Sequence, residues 1–287
     1  MNNDQTLERY RPVTAAELQR KADWLRLEIL RLISFAGLGH YSSSLSAAEV
    51  LVTLYGHVLR LRKGDPAWPR RDRFLLGKGH IAVALWPLLA ELEYFPEDWL
   101  QTFGSLDSRL TDHPDMLRTP GIDFSSGSLG HNLSVGLGMA LAARMRGQDH
   151  RTFVLTGDGE LHEGQIWEAA MAAAHYGVGN LVAIVDANGS CGDGHTEEVM
   201  SIEPLSKRFE AFGWRCIEVD GHDAEALLAA FAELPPPSAV TPTCVIARTR
   251  KGKGLAFMEK APRDWHLGNL GPLDLEAARA EIGARIR

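Results

Sequence analysis

The chain has little that would staple it, anchor it or charge it strongly. Its three cysteines, Cys191, Cys216 and Cys244, are odd in number, widely spaced and without a Cys-x-x-Cys pair, which argues against a disulfide framework or a zinc site. No apolar run approaches the length of a membrane-spanning helix. The opening residues, MNNDQTLERYRP, lack the basic region and apolar core of a secretory signal, so a cytoplasmic location is expected. Positive charge is also in deficit: 30 Lys and Arg stand against 37 Asp and Glu, a net charge of -7, which leaves no electrostatic footprint for nucleic acid. Internal repeats and low-complexity segments are missing too. What remains is 287 residues of ordinary globular composition, 45% hydrophobic and 23% charged, enough to bury a substantial core in one large domain.

Residues 1–13 read as a flexible polar arm, leaving 14–287 as that single domain. Thr14 and Glu17 form a capping box, and Leu18, Ala22, Leu25, Ile29, Leu32 and Ile33 follow at helical spacing until Gly37 and Gly39. The segment GLGHYSSS, 37–44, is expected as a loop between helices. Ser46 to Glu49 spells a second capping box ahead of a helix carrying Val50, Leu51, Leu54 and Val58. Short apolar runs at 73–76, 153–156, 181–186, 215–219 and 243–247 read as buried strands. Helical composition marks 88–104 with a break at Pro96, then 133–145, 166–176, 203–212 and 224–234. This alternation predicts an α/β fold, a mostly parallel sheet with helices on both faces. The polar stretch 111–128 is a long loop of the kind that usually carries function. After the proline run 235–237, one strand and a short tail are expected.

One spacing carries chemistry. Gly157-Asp158-Gly159 follows a buried strand, and about thirty residues later a second buried strand delivers Asn188. In a parallel sheet with a crossover helix, this puts a carboxylate and an amide oxygen at the carboxyl ends of two strands. Hard oxygens suit Mg²⁺ or Ca²⁺, and Mg²⁺ completes its shell with water and phosphate oxygens, so the fitting ligand is a diphosphate carried on the metal. Asn188 alone, without Asp158 upstream, is better explained as the first residue of an Asn-Gly turn.

The pattern Gly157-Asp158-Gly159 followed by Asn188 resembles the thiamine diphosphate signature. GDGELHEGQIWEAA, DANG and HTEEVM are similar to the cofactor-binding half of the two-chain bacterial transketolases, over about Lys21 to Gly268. The resemblance implies the thiamine-diphosphate-binding (PP-type) fold, thiamine diphosphate and Mg²⁺ or Ca²⁺ as cofactors, and transfer of a two-carbon ketol unit from a ketose or ketose phosphate to an aldose. It implies Asp158, Asn188 and the backbone carbonyl of Ser190 as metal ligands, and Gly157, Gly159, Gly127 and Leu129 beside the cofactor. Four loop histidines, His40, His80, His113 and His266, match its catalytic histidines, with His80 and His266 also against the cofactor; imidazole suits proton movement near neutrality. Glu163, with Glu168, matches acids that couple paired sites across a subunit interface. His57, His150, His175, His195 and His222 have no such context and read as structural or solvated.

The resemblance also implies a gap. The glutamate that activates the cofactor sits, in that family, on a second domain with no counterpart here. A separate partner chain carrying the pyrimidine-binding and C-terminal domains is therefore expected, in an α2β2 heterotetramer acting on sugars or sugar phosphates, with this chain inactive alone. The sequence departs from the family at several points: Tyr41-Ser42-Ser43-Ser44 after His40, Ser190-Cys191-Gly192 after the Asn-Gly, Asp112 for a glycine, Gly77 for a serine and His131 for a glutamine. The first makes a bulkier, more polar floor, and together they predict a donor or acceptor other than the pentose phosphates of central metabolism. Two alternatives stay open. One is another thiamine enzyme, such as a deoxyxylulose phosphate synthase or a 2-oxo acid dehydrogenase subunit, against which Lys251 to Gly254 followed by DWH, and His40 with His80, weigh. The other is a noncatalytic homologue that binds a partner through the same surface.

Overall fold

The computed structural model describes residues 13–286. Residues 1–12 of the expected polar arm lie outside the described residues. Five strands, β1 (Arg73–Leu76), β2 (Thr152–Gly157), β3 (Leu181–Ala187), β4 (Arg215–Asp220) and β5 (Thr243–Arg248), form one sheet in the order β1-β2-β3-β5-β4 with every pairing parallel. The helices are α1 (Ala15–Ala36), α2 (Tyr41–Ser46), α3 (Ala48–Thr53), α4 (Trp86–Glu91), α5 (His131–Met145), α6 (Gly164–His175), α7 (Thr196–Met200), α8 (Leu205–Ala211), α9 (Ala224–Ala232), α10 (Ala256–Lys260) and α11 (Pro272–Ile286).

The strands read as unbroken apolar runs because both faces of the sheet are covered. Successive side chains point to opposite faces, so Phe153 and Leu155 of β2, with Val182 and Ile184 of β3, join the core under α1, α3, α9 and α11. Val154, Ala183 and Val185 join the core under α5, α6 and α8. Among the described residues no helix is long and apolar enough to cross a membrane.

Three local expectations change. Residues 41–46 are helical and buried rather than loop. Ser46 caps nothing: its hydroxyl donates to Asp186 Oδ2 at 2.6 Å, with the Ser43 carbonyl 2.9 Å away, because α2 runs almost directly into α3 and leaves no free turn to cap. The break expected at Pro96 is borne out, with α4 before it and a 3₁₀ segment, Glu97–Thr102, after it. The tail after β5 holds two helices, of which α11 lays Ala278 and Ile282 against α1; its other apolar residues are not confined to one face, which leaves little periodicity to read.

A buried charge cluster ties this face together. Arg26 of α1 donates to Glu49 Oε2 of α3 at 2.6 Å and to Asp23 at 3.1 Å. His222, in the turn before α9, holds Nδ1 3.0 Å from the same Glu49 oxygen and accepts the Arg250 amide on Nε2 at 2.8 Å. The structural reading of His222 is borne out, and with Nε2 accepting the amide, Nδ1 is the nitrogen that donates to Glu49.

Candidate functional site

The carboxyl ends of β2 and β3 lie side by side, with Gly157 in register with Asp186. Asp158 therefore leaves β2 beside the loop that leaves β3. Its carboxylate accepts the amides of Gly159 at 2.9 Å and Gly189 at 2.5 Å. Asn188 turns its amide oxygen to the Ser190 amide at 3.1 Å and donates to Asp186 at 3.2 Å. Neither Gly157 nor Gly159 has positive φ. Space is what requires glycine at 159: a Cβ there would stand 2.7 Å from that of Cys191, so its absence lets the 188–191 loop close onto the Asp158 turn.

Charge under this edge was invisible to pattern reading. Asp186 is fully buried at the end of β3 and ion-paired to the equally buried Lys78, and it also accepts the hydroxyls of Ser46 and Thr249. Burial would push its carboxyl up, but Lys78 and these donors outweigh that and hold it below the usual range. Burial, and then the nearby Asp186 charge, raises Asp158 to about 6. Lys251, also buried, donates to the Cys191 carbonyl at 3.3 Å and is lowered to about 8 by burial and by the Lys78 charge. An aspartate at the end of an apolar strand was the available signal, since buried charges are paired.

The four loop histidines converge. His40 is central, its ring centroid 4.9 Å from His80, 5.3 Å from His266 and 6.3 Å from His113, with His80 and His266 5.5 Å apart. They come from the end of α1, the Gly79 turn after β1, the 111–128 loop and the segment before α11. An antiparallel bridge between Gly39 and Gly268 joins the first and last of these. Burial, followed by the Lys78 and His40 charges, lowers His80 to about 2, and burial with Lys251 lowers His266 to about 4, so both are neutral imidazoles at neutral pH. Ser43 Oγ lies 3.1 Å from His266 Nδ1. Asp112 Oδ2 lies 3.2 Å from His113 Nδ1, and its Oδ1 lies 3.6 Å from His40 Nδ1, which is buried without a hydrogen-bond partner. Burial acts to raise Asp112, but the two imidazoles outweigh it and hold the carboxyl well below the usual range.

The Ser126–Gly130 loop adjoins these rings. Gly127 faces the His113 ring, and Ser126 abuts Gly79. Leu129 is 38% exposed. Glu163 stands apart, exposed at the start of α6 with its Cβ against Gly130, and Glu168 is exposed on the same helix. The expected polar floor at 41–44 needs correction. Tyr41 is buried in the core, and Ser42 and Ser44 donate to the carbonyls of Pro262 and His40. Helix α2 turns these side chains inward, so Ser43 alone of the four reaches a ring.

Glu160 is a further residue the sequence did not single out. Its buried carboxyl accepts the Gly130 amide at 3.0 Å and the Gly157 amide at 3.2 Å, clamping the two loops, and burial raises it to about 7. A Cβ on Gly77 would stand 2.6 Å from both Glu160 oxygens. Gly77→Ser is therefore expected to cost about 1–3 kcal/mol, read as a lower melting temperature; an unchanged melt would mean that the carboxyl moves aside freely.

Among the described residues no group of three or more His, Cys, Asp or Glu side chains could hold a metal ion. A cation at this edge would rest on one carboxylate with amide and carbonyl oxygens, a set suited to a hard ion that brings its own oxygen ligands.

Comparison with known proteins agrees with this geometry. The family model described as "Transketolase, thiamine diphosphate binding domain" matches residues 18–286. The chain is 39% identical over 274 residues to one subunit of the apulose-4-phosphate transketolase of Phocaeicola vulgatus, covering 96% of each protein. It is 40% identical over 243 residues to the 6-deoxy-6-sulfo-D-fructose transketolase subunit SqwG of a Clostridium species, covering 85% of this chain and 88% of that one. The crystal structure of Campylobacter jejuni transketolase superposes with a TM-score of 0.86 at 28% identity, over 93% of this chain but only 42% of that one. The parallel sheet and its helices thus have the thiamine-diphosphate-binding α/β fold, and the chain belongs to the transketolase family.

Proposed function

We propose that this chain is the cofactor-binding subunit of a thiamine-diphosphate-dependent transketolase that moves a two-carbon ketol unit from a ketose or ketose phosphate to an aldose. The observation that carries the reading is the convergence of His40, His80, His113 and His266 in a fold whose Asp158–Asn188 edge offers hard oxygens. Residues 14–287 act as one cofactor domain. Thiamine diphosphate, when bound, supplies the centre that stabilises a carbanion. Asp158, Asn188 and the Ser190 carbonyl would hold Mg²⁺, or Ca²⁺ in its place, and the buried ammonium groups of Lys78 and Lys251 offset the charge of a diphosphate. Gly127, Leu129, Gly157 and Gly159 border the cofactor. His80 and His266, neutral and partly desolvated, orient it and exchange hydrogen bonds with substrate oxygens, while His40 and His113 move protons at the donor's hydroxyl and carbonyl oxygens.

The names of the Phocaeicola and Clostridium relatives support a second chain, because each is called one subunit of its transketolase. The partner would carry the pyrimidine-binding and C-terminal domains, in an α2β2 heterotetramer within the cytoplasm. Glu163, exposed beside Gly130, would face it. Those names also tie the relatives to apulose 4-phosphate and to 6-deoxy-6-sulfo-D-fructose, which favours a donor outside the central pentose phosphates here. Native mass spectrometry of the chain purified from its own cells with Mg²⁺ and thiamine diphosphate tests the reading. A complex with a second chain and bound cofactor is expected; a cofactor-free species without a second chain would favour the noncatalytic homologue.

A further inference from the structure

The transketolase reading leaves unexplained why an acid stands at position 112. Among the described residues, Asp112 is the one carboxylate within ion-pair distance of any of the four clustered rings, at 3.2 Å from His113 and 3.6 Å from His40. Its side chain is 46% exposed, so one side meets the imidazoles and the other is open to solvent. Where the family resemblance expects glycine, the chain has placed a fixed negative charge at the reacting end of the site.

Resting on the transketolase reading, we propose that Asp112 is a specificity-determining residue that selects donors with an uncharged substituent on the reacting carbonyl and rejects donors carrying a carboxylate there. Ketoses and 3-hydroxy-2-oxo acids share the hydroxymethyl ketone. They differ in what is attached to it: a neutral CHOH group in one, a carboxylate in the other. A neutral donor meets no repulsion at Asp112, and its hydroxyl can donate to the carboxylate. An oxo acid brings a second carboxylate to within a few ångströms of the first in a half-buried cleft. Repulsion of like charges at that distance and an intermediate dielectric amounts to a discrimination on the order of tenfold to a hundredfold. His113 Nδ1 and His40 Nδ1, at 3.2 Å and 3.6 Å from the carboxylate, orient it and moderate the repulsion. The ammonium groups of Lys78 and Lys251 lie under the strand ends, where Lys78 is held by Asp186 and Lys251 by the Cys191 carbonyl.

The test uses the enzyme reconstituted with its partner, hydroxypyruvate as the anionic donor and erythrulose as the neutral one. The ratio of kcat/KM for hydroxypyruvate to that for erythrulose is expected to rise at least about tenfold in Asp112→Asn and in Asp112→Gly, and to keep the parent value in Asp112→Glu. A second readout needs no turnover. In the full chain with ¹⁵N-labelled histidine, hydroxypyruvate should shift the His113 imidazole resonances at about tenfold lower concentration in Asp112→Asn than in the parent, with erythrulose as the reference. An unchanged ratio and unchanged titrations overturn the assignment. Loss of turnover with both donors in every form, the parent included, would instead count against the transketolase reading, and the imidazole titration would still decide the role of Asp112.

Discussion

Asp158→Ala is expected to abolish retention of thiamine diphosphate, with a loss of more than about 100-fold in Mg²⁺-dependent affinity measured by calorimetry on the assembled enzyme. Removing an outer-shell partner of a metal ligand commonly costs about 10- to 100-fold, and a ligand itself should cost more. The substitution also acts on the chain. The Asp158 carboxylate anchors the Gly189 amide at 2.5 Å, so its loss frees the loop that presents Asn188 and Ser190. Asp158→Asn separates the two effects: it keeps an oxygen for Gly189 and removes the charge. Native affinity in the alanine variant would place the cation elsewhere.

The second large effect lies far from the histidines. Arg26→Met is expected to destabilise the protein by about 3–5 kcal/mol, because it leaves the buried Glu49 carboxylate with only the hydrogen bonds of His222 and Gln19. Glu49 is wholly buried. Its burial opposes ionisation, yet Arg26 and then His222 lower its carboxyl to about 2. A carboxyl with a depressed folded value contributes stability above its unfolded value near 4.5, and that contribution is lost as pH falls toward 2. The variant's deficit should therefore be largest at neutral pH and shrink as pH falls toward 2. Denaturant titrations across that range are the measurement. A parallel pair of pH curves would show that Glu49 is protonated in the native core.

The parts of the fold legible in the sequence were those governed by local periodicity. The five strands appear because each is a short apolar run, and α1 because a capping box opens it and Gly37 closes it with φ of 79°. The site was legible where motif residues leave strands, as at Asp158 and Asn188, and where histidines sit in glycine-bearing loops. Sequence could not anticipate side chains chosen by tertiary partners. Ser46 looks like a cap until Asp186 is known to lie beside it, and Glu160 looks like an ordinary acid until Gly77 supplies the space it fills. Helix α11 escaped notice because packing on α1, rather than amphipathic pattern, holds it.

The bridge between Gly39 and Gly268 sets an order of events during synthesis. His40 leaves the ribosome early, yet its segment gains these backbone partners only after residue 268 has followed. Closing a loop of that length carries an entropic cost of about 5 kcal/mol, which the sheet must offset by folding first. The sheet should thus form while the histidine cluster is still open, and the cluster should close last.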